Sequence, residues 1–327
     1  MRKSLRRSRQ AADEPQSIPA VPDGVLQVCH PDWRGVRASA RAFRDPVFEA
    51  RDLSTVIGRV ADITEAGVET VVIQGWPPNA AAFATALSAS GMRVLAVFHS
   101  SPAQHGVDGG EAEAVNEMLE LHRSGVVSGV ATIKAGVAGS LRSLGYDVAH
   151  IGNRVPKLGT IAPAPVVEGT NVGIFLYPMW RKNVTTQILA AHSLGWRPFV
   201  MDDPCVPYLS RNDLTICGEL PREEFLTIQA AMDLTLNVTL SECHPIQPME
   251  SYRLGVPCLI SRTSDLFIED PGLYELTTVD QTDNPDAIAD GARRLLANRA
   301  EVVPRANAVL DAIDRRSAGQ WRTFVRR

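Results

Sequence analysis

Short apolar runs alternate with segments of helical periodicity along most of this chain. In the first half the runs predict strands, and residues with apolar side chains at every third or fourth position predict helices between them, as at Leu53, Val56, Ile57 and Val60 ahead of Gly67. The predicted strands cover residues 25–30, 70–74, 93–98 and 126–133. This alternation is typical of a parallel sheet with crossover helices.

The same alternation restarts after a proline-rich segment, residues 156–165, which is predicted to be a linker. The second set of predicted strands covers residues 171–176, 197–201, 214–217, 234–240 and 254–260. We therefore predict an α/β protein with two doubly wound domains, residues 23–158 and 166–305, followed by a C-terminal helix over 306–327. Ligands bind at the carboxyl ends of the strands in such sheets, so the site is expected in a cleft between the domains.

Length and composition agree with this organisation. A chain of 327 residues corresponds to about two domains of ~150 residues each, and 45% apolar residues can fill two cores. No apolar run approaches the ~20 residues of a membrane-spanning helix, and the basic first residues lack the apolar region of a secretory signal. The expected location is therefore the cytoplasm. Five cysteines without CxxC spacing predict neither a disulfide framework nor a structural zinc site.

Positive charge is concentrated at the start of the chain. Arg2, Lys3, Arg6, Arg7 and Arg9 occur without an acidic neighbour, and without them the net charge of −4 becomes −9. Residues 1–22 are therefore predicted to be a disordered basic arm. Such an arm can contact a polyanion such as DNA or remain a solvated tail.

Two glutamates in the second half carry the strongest functional signal. Seven residues separate Glu242 from Glu250, and a Gly-Val-Pro turn follows them. Pro245 and Pro248 make one continuous helix unfavourable, so Glu242 is expected on a loop and Glu250 near the N-terminus of a helix that begins around Pro248. One carboxylate can then accept hydrogen bonds from sugar hydroxyls and the other from a ribose. In the alternative interpretation Glu250 only caps its helix and Glu242 is a solvated loop residue.

This segment resembles the E-x7-E signature of retaining GT-B glycosyltransferases of the family 4 kind. The resemblance implies a GT-B fold, in which two Rossmann-like domains face a central cleft. It also implies transfer of a sugar from a nucleotide-diphosphate sugar to an acceptor hydroxyl with retention. In this family Glu250 would match the glutamate that binds the nucleotide ribose, and Glu242 the one that faces the donor sugar.

Other residues match the family's donor site. Lys182 resembles the lysine that binds the donor diphosphate at the start of the first helix of the C-terminal domain, and Arg181 is expected to assist it. The chain departs from the pattern at Tyr177, because family members have an arginine about there. Gly218, Glu219 and Leu220 resemble the loop whose backbone contacts the nucleobase.

The first half contributes two further candidates. Gly35 is expected in a loop after the first strand that resembles the family's loop, in which a glycine lets the backbone approach the donor phosphates. His99 ends a predicted strand and resembles the histidine that family members point at the donor sugar, although a strand-end histidine can also be purely structural. The predicted catalytic residues are therefore His99, Lys182 and Glu242.

No metal or cofactor is expected, since the chain has neither a D-x-D motif nor an H-E-x-x-H motif. The sequence does not identify the acceptor, whose hydroxyl can belong to DNA, protein, lipid or a small molecule. Three alternatives to a glycosyltransferase also remain: a GT-B-like nucleotide-sugar epimerase, a phosphorylase, or a catalytically degenerate binding module.

Overall fold

The computed structural model describes residues 17–106 and 109–327, which form two six-stranded sheets with helices between successive strands. Every strand pairing in both sheets is parallel. The predicted α/β architecture with two doubly wound halves is confirmed.

The N-terminal sheet has the strand order β2-β1-β3-β4-β5-β6. Its strands are β1 (Val25–Cys29), β2 (Val47–Glu49), β3 (Thr70–Gln74), β4 (Arg93–Phe98), β5 (Gly129–Thr132) and β6 (Val148–His150). Its helices are α1 (Arg34–Ala42), α2 (Ser54–Ile57), α3 (Val60–Glu65), α4 (Ala80–Ala89), α5 (Pro102–His105), α6 (Gly109–Arg123) and α7 (Ala135–Ser143).

The C-terminal sheet has the order β12-β11-β10-β7-β8-β9. Its strands are β7 (Asn171–Ile174), β8 (Arg197–Val200), β9 (Thr215–Ile216), β10 (Leu234–Asn237), β11 (Cys258–Ser261) and β12 (Thr278–Val279). Its helices are α8 (Val184–Ser193), α9 (Arg222–Ala230), α10 (Ile246–Arg253), α11 (Pro271–Thr277), α12 (Pro285–Ala297) and α13 (Arg299–Phe324), with short 3-10 helices at Trp180–Lys182 and Arg211–Asp213.

In each sheet the chain winds first to one side of its starting strand and then to the other. The direction changes between β1 and β3 in the N-terminal sheet and between β7 and β10 in the C-terminal sheet. At such a point the two loops leave the sheet in opposite directions and open a crevice at the carboxyl ends of the strands. The loops after β7 and β10 carry Lys182 and Glu242.

The last helix connects the two halves. The first part of α13 packs Val302 and Leu310 into the core of the C-terminal sheet. Its end packs Trp321 and Phe324 against Leu95 and other apolar residues of the N-terminal sheet. α13 therefore buries apolar area against both halves, in addition to the covalent connection through residues 156–165.

Three predictions of local structure need correction. The helix expected from residue 53 to Gly67 is two helices, since α2 ends at Ile57 and Gly58, a poor helix former, follows it. The final helix begins at Arg299 rather than at residue 306 and includes Pro304. Within the arm predicted to be disordered, Ile18 and Val21 pack on the N-terminal core, whereas residues 1–16, including all five basic positions, lie outside the described residues.

Candidate active site

The carboxyl ends of the two sheets face each other. Ser101, in the loop after β4, lies 2.5 Å from Ser241 in the loop after β10, measured between their Oγ atoms. Asn153, after β6, donates from its amide to the carbonyl oxygen of His244 at 2.6 Å. The loops that follow the strands of one sheet therefore contact the corresponding loops of the other, which forms a single cleft.

A lysine from the N-terminal half spans this cleft. The ammonium of Lys134, just after β5, donates to the carbonyl oxygens of Glu242 at 2.9 Å and Thr263 at 2.7 Å. It also lies 3.3 Å from a carboxylate oxygen of Asp265. Sequence analysis missed Lys134, although its place immediately after a predicted strand was a usable signal. Lys134, from the N-terminal half, thus holds the backbone of the loop that carries Glu242.

Lys182 and Glu242 are brought together. Lys182 Nζ lies 2.5 Å from Glu242 Oε2, and their side chains are only 17% and 13% exposed. Burial raises the pKa of Glu242, but the Lys182 ammonium and the nearby Arg181 lower it by more, so the carboxyl pKa lies below its usual value. Glu242 is therefore ionised at neutral pH and is not a solvated loop residue.

The local backbone accounts for the position of Lys182. It is the last residue of the 3-10 helix Trp180–Lys182, one step before Asn183, which has a left-handed φ of 54°. The prediction that Lys182 lies at the start of the first helix of the C-terminal domain needs this adjustment, because α8 begins at Val184 and has no side-chain cap. The backbone N–H groups of that first turn and the lysine therefore occupy the same end of the crevice.

Glu250 is buried, with an exposure of 4%, and pairs with Arg222 at the start of α9. Arg222 Nη2 lies 2.6 Å from Glu250 Oε1. Burial raises the pKa of Glu250 and the guanidinium opposes that rise only in part. The helix expected to begin around Pro248 begins at Ile246 instead, so Glu250 is the fifth residue of α10. Because α10 has no side-chain cap, the alternative in which Glu250 caps its helix is wrong.

The predicted nucleobase loop contacts the N-terminal half. Glu219 accepts a hydrogen bond from the Tyr177 hydroxyl at 2.8 Å and pairs with Arg34 at 3.1 Å. Burial and the bond to Glu219 raise the pKa of Tyr177 to about 12. The Arg34 guanidinium carbon lies 5.7 Å from the centroid of the Tyr177 ring. Arg34, from helix α1 of the N-terminal half, thus lies beside Tyr177, the position where the family resemblance predicts an arginine. Arg34 was not among the predicted site residues.

The other loop positions differ in how closely they are packed. Gly35 was expected in a loop but lies in the first turn of α1, because the helix already begins at Arg34, and it has open space where a Cβ would stand. Gly218 has a φ of +71°, which favours glycine, and Leu220 is half-buried. Gly75 has a φ of +74°, and a Cβ there would lie 2.7 Å from the Trp33 ring, so this glycine leaves room for Trp33, the residue directly before Arg34 and α1.

His99 is half-buried at the carboxyl end of β4, two positions before Ser101. Its Nε2 lies 2.9 Å from Gln74 Oε1. Burial lowers the pKa of His99 to about 4, so the ring is neutral at physiological pH. A neutral imidazole at this position can exchange hydrogen bonds with a ligand, but its single N–H is too weak an acid to protonate a leaving group.

No group of three or more His, Cys, Asp or Glu side chains in residues 17–106 and 109–327 is arranged to hold a metal ion. No helix within those same residues has both the length and the apolar character needed to cross a bilayer.

Comparison with known proteins defines the fold. No protein-family model and no curated protein sequence matches the chain. Among solved structures it is similar to sucrose-phosphate synthase from Thermosynechococcus elongatus, with a TM-score of 0.58, 14% identity, and coverage of 85% of this chain and 80% of that one. The fold is GT-B. The predicted GT-B fold is therefore confirmed.

Two further structures show how widely this fold is used. The pneumococcal O-GlcNAc transferase GtfA, in complex with UDP and GlcNAc, has a TM-score of 0.57 at 11% identity and covers 85% of this chain and 60% of that one. A putative UDP-N-acetylglucosamine 2-epimerase from Listeria monocytogenes has a TM-score of 0.58 at 12% identity and covers 90% and 93%. Identities this low show a shared fold and leave the activity to be argued from the site.

Proposed function

We propose that this protein is a glycosyltransferase that moves a sugar from a nucleotide-diphosphate sugar to an acceptor hydroxyl in the cytoplasm, with retention. The observation that carries the proposal is the Lys182–Glu242 pair, which lies at the switch point of the C-terminal sheet and faces the strand ends of the N-terminal sheet. A half-buried cation and a half-buried carboxylate in such a crevice suit a ligand with an anionic diphosphate and a polyhydroxylated sugar.

The chemistry of transfer fits this pair. As the bond from sugar to diphosphate breaks, negative charge grows on the diphosphate, and Lys182 with the uncapped N-terminus of α8 would stabilise it. Lys182 would then exchange its contact with Glu242 for one with phosphate. Glu242 would accept hydrogen bonds from sugar hydroxyls, and Glu250 would accept them from the ribose.

Additional cations support the same assignment. Arg181 lies close enough to lower the pKa of Glu242, and Arg34 lies beside Tyr177. We propose that these two guanidiniums supply the positive charge for which the chain has no arginine at position 177. Gly35, with open space beside it, and the backbone of Gly218, Glu219 and Leu220 would then contact the phosphates and the nucleobase respectively. No metal ion is required for this arrangement.

A nucleotide-sugar epimerase is the second candidate, because the putative epimerase from Listeria monocytogenes has the same fold over 93% of its length. An epimerase would convert the donor without an acceptor. A phosphorylase would require inorganic phosphate, and a degenerate binding module would bind the donor without turning it over.

A thermal-shift panel of UDP-, GDP-, ADP- and dTDP-sugars tests the proposal. A ligand at 100 times its dissociation constant stabilises the folded state by about 2.7 kcal/mol, which for a chain of this length raises Tm by about 4 °C. The donor that binds is then incubated alone, with phosphate, and with acceptor hydroxyls. Acceptor-dependent release of the nucleotide supports the proposal. Binding without any turnover, or epimerisation of the donor alone, contradicts it.

The acceptor is the least constrained part of the proposal. Protein, lipid and small-molecule hydroxyls are all candidates. A hydroxyl on DNA is the candidate that the five basic residues between Arg2 and Arg9 favour, because positive charges attract the phosphate backbone.

A further inference from the structure

A chain of buried amide side chains runs beneath the cleft and ends at His99. Gln27 on β1 and Gln74 on β3 are 0% and 1% exposed, although most residues of both strands are apolar. Gln74 Nε2 lies 2.8 Å from Gln27 Oε1, and Gln74 Oε1 lies 2.9 Å from His99 Nε2. Burying two amides in a sheet is costly unless they are hydrogen-bonded. Here each amide is bonded to a specific partner, so the partners fix which way each amide faces.

The orientation of the first amide follows from the backbone. Gln27 Nε2 lies 2.8 Å from the carbonyl oxygen of Ala40 and 3.3 Å from that of Asp45. A carbonyl oxygen only accepts hydrogen bonds, so the nitrogen of the Gln27 amide must face these two oxygens. Gln27 Oε1 therefore faces Gln74.

The orientation of Gln27 determines the orientation of Gln74 and of His99 in turn. Because Gln27 presents an oxygen, Gln74 must donate from its nitrogen, and its own oxygen is then turned toward His99. An amide oxygen only accepts, so His99 must donate from Nε2. A neutral imidazole has one proton, and Nδ1 is consequently left as a bare acceptor. Within residues 17–106 and 109–327, Nδ1 of His99 receives no hydrogen bond from the protein.

We propose that Gln27 and Gln74 are positioning residues that hold His99 in the Nε2-protonated tautomer, so that Nδ1 accepts a hydrogen bond from a hydroxyl of the substrate. This inference rests on the proposed function for the identity of the ligand, but the tautomer itself does not. It defines a substrate class, because a bare nitrogen lone pair attracts a hydroxyl and repels the oxygens of a carboxylate. A sugar with a hydroxyl at that position is therefore favoured over a uronic acid with its carboxylate there.

Nitrogen NMR of the full chain tests the tautomer without any ligand. Histidine labelled with ¹⁵N gives separate signals for a protonated and a bare ring nitrogen, and His99→Asn identifies which of the seven histidines is His99. At pH 7 we expect Nε2 to be protonated and Nδ1 bare. A wild-type spectrum with the proton on Nδ1, or with both tautomers equally populated, overturns the proposal by itself.

A substitution remote from the ring tests the relay. Gln27→Leu removes the anchor, so that the Gln74 amide can turn over and the Nδ1-protonated tautomer of His99 becomes populated. The matched control is Gln229→Leu, which makes the same change at another fully buried glutamine, one that bonds to the carbonyl oxygen of Gln247 in the C-terminal half. The control should leave the His99 signals unchanged. An unchanged tautomer in a folded Gln27→Leu protein contradicts the relay.

Donor analogues that each lack one hydroxyl test the functional consequence. In the wild-type protein the loss of the hydroxyl that faces Nδ1 should lower kcat/KM by about 2- to 10-fold, as expected for one neutral hydrogen bond. In His99→Phe the same analogue should lose nothing further. Equal losses in both proteins contradict the role of His99, whereas the absence of any bound donor contradicts the proposed function and leaves the NMR result standing.

Discussion

Replacing Lys182 by methionine tests whether its contact with Glu242 is a buried ion pair. Methionine keeps most of the length of the lysine side chain and removes the charge. The carboxylate of Glu242, 13% exposed, would keep the Cys243 backbone N–H at 3.2 Å but lose its main counterion. An unpaired carboxylate at such a site takes up a proton rather than remain charged.

The cost of that proton gives the size of the effect. The unfolded chain has Glu242 near the ordinary glutamate pKa of 4.5. Protonating it at pH 7 costs about 3.4 kcal/mol, since each pKa unit corresponds to about 1.36 kcal/mol, but at pH 5 only about 0.7 kcal/mol. In the wild-type protein the folded pKa is depressed, so the pair stays intact across this window. For a chain of this length the loss of Tm is then about 5 °C at pH 7 and about 1 °C at pH 5.

Differential scanning calorimetry at pH 5, 6 and 7 measures this difference. The control is Lys157→Met, because Lys157 is 76% exposed and lies 3.4 Å from Asp311, so its loss should lower Tm by no more than about 1 °C at any of these pH values. The double variant Lys182→Met, Glu242→Gln has no charge at either position, so its Tm at pH 7 should recover most of the decrease caused by Lys182→Met alone. A Tm difference that does not change between pH 7 and pH 5 would show that Glu242 takes up no proton in the variant.

Four further predictions concern activity and binding. Lys182→Ala should lower kcat by a larger factor than it weakens donor binding, because charge on the diphosphate grows toward the transition state; steady-state kinetics with a donor titration decide this. Glu250→Ala should weaken donor binding by about 1.5 to 3 kcal/mol, measured by calorimetry, while stability barely changes because the half-exposed Arg222 can turn to solvent; an unchanged dissociation constant rejects the ribose role. EDTA should leave turnover intact, and a loss of activity that manganese restores would show that a metal is needed. Deleting residues 1–9 should reduce the log-log salt slope of DNA binding by up to about 5, and an identical slope would remove the case for a DNA acceptor.

The strands that could be predicted from the sequence are those buried on both faces. β3 and β4 are almost entirely buried and form continuous apolar runs, so their limits agree with the prediction. β2 and β6 have only three residues each and were missed, because a run that short has no periodicity to recognise.

Sequence analysis found the carboxylates of the candidate site but not their partners. Glu242 and Glu250 are close in the chain, so their spacing is visible as a motif. Lys134 contacts the loop of Glu242 from 108 residues away, and only the folded arrangement of both sheets brings them together. Gln27 and Gln74 are polar residues in strands whose sequence predicts a buried core position. No local pattern indicates that their two amides are hydrogen-bonded to each other.

The path of α13 has a consequence for how the chain folds during synthesis. Trp321 stacks on Phe43 at 4.4 Å between ring centroids, and Phe324 packs beside Leu95 and Val97. While a ribosome is still translating the C-terminal half, these apolar side chains of the N-terminal half have no cover. The N-terminal half therefore completes its core only after residue 324 has left the exit tunnel, which makes it a candidate for chaperone protection until α13 has emerged.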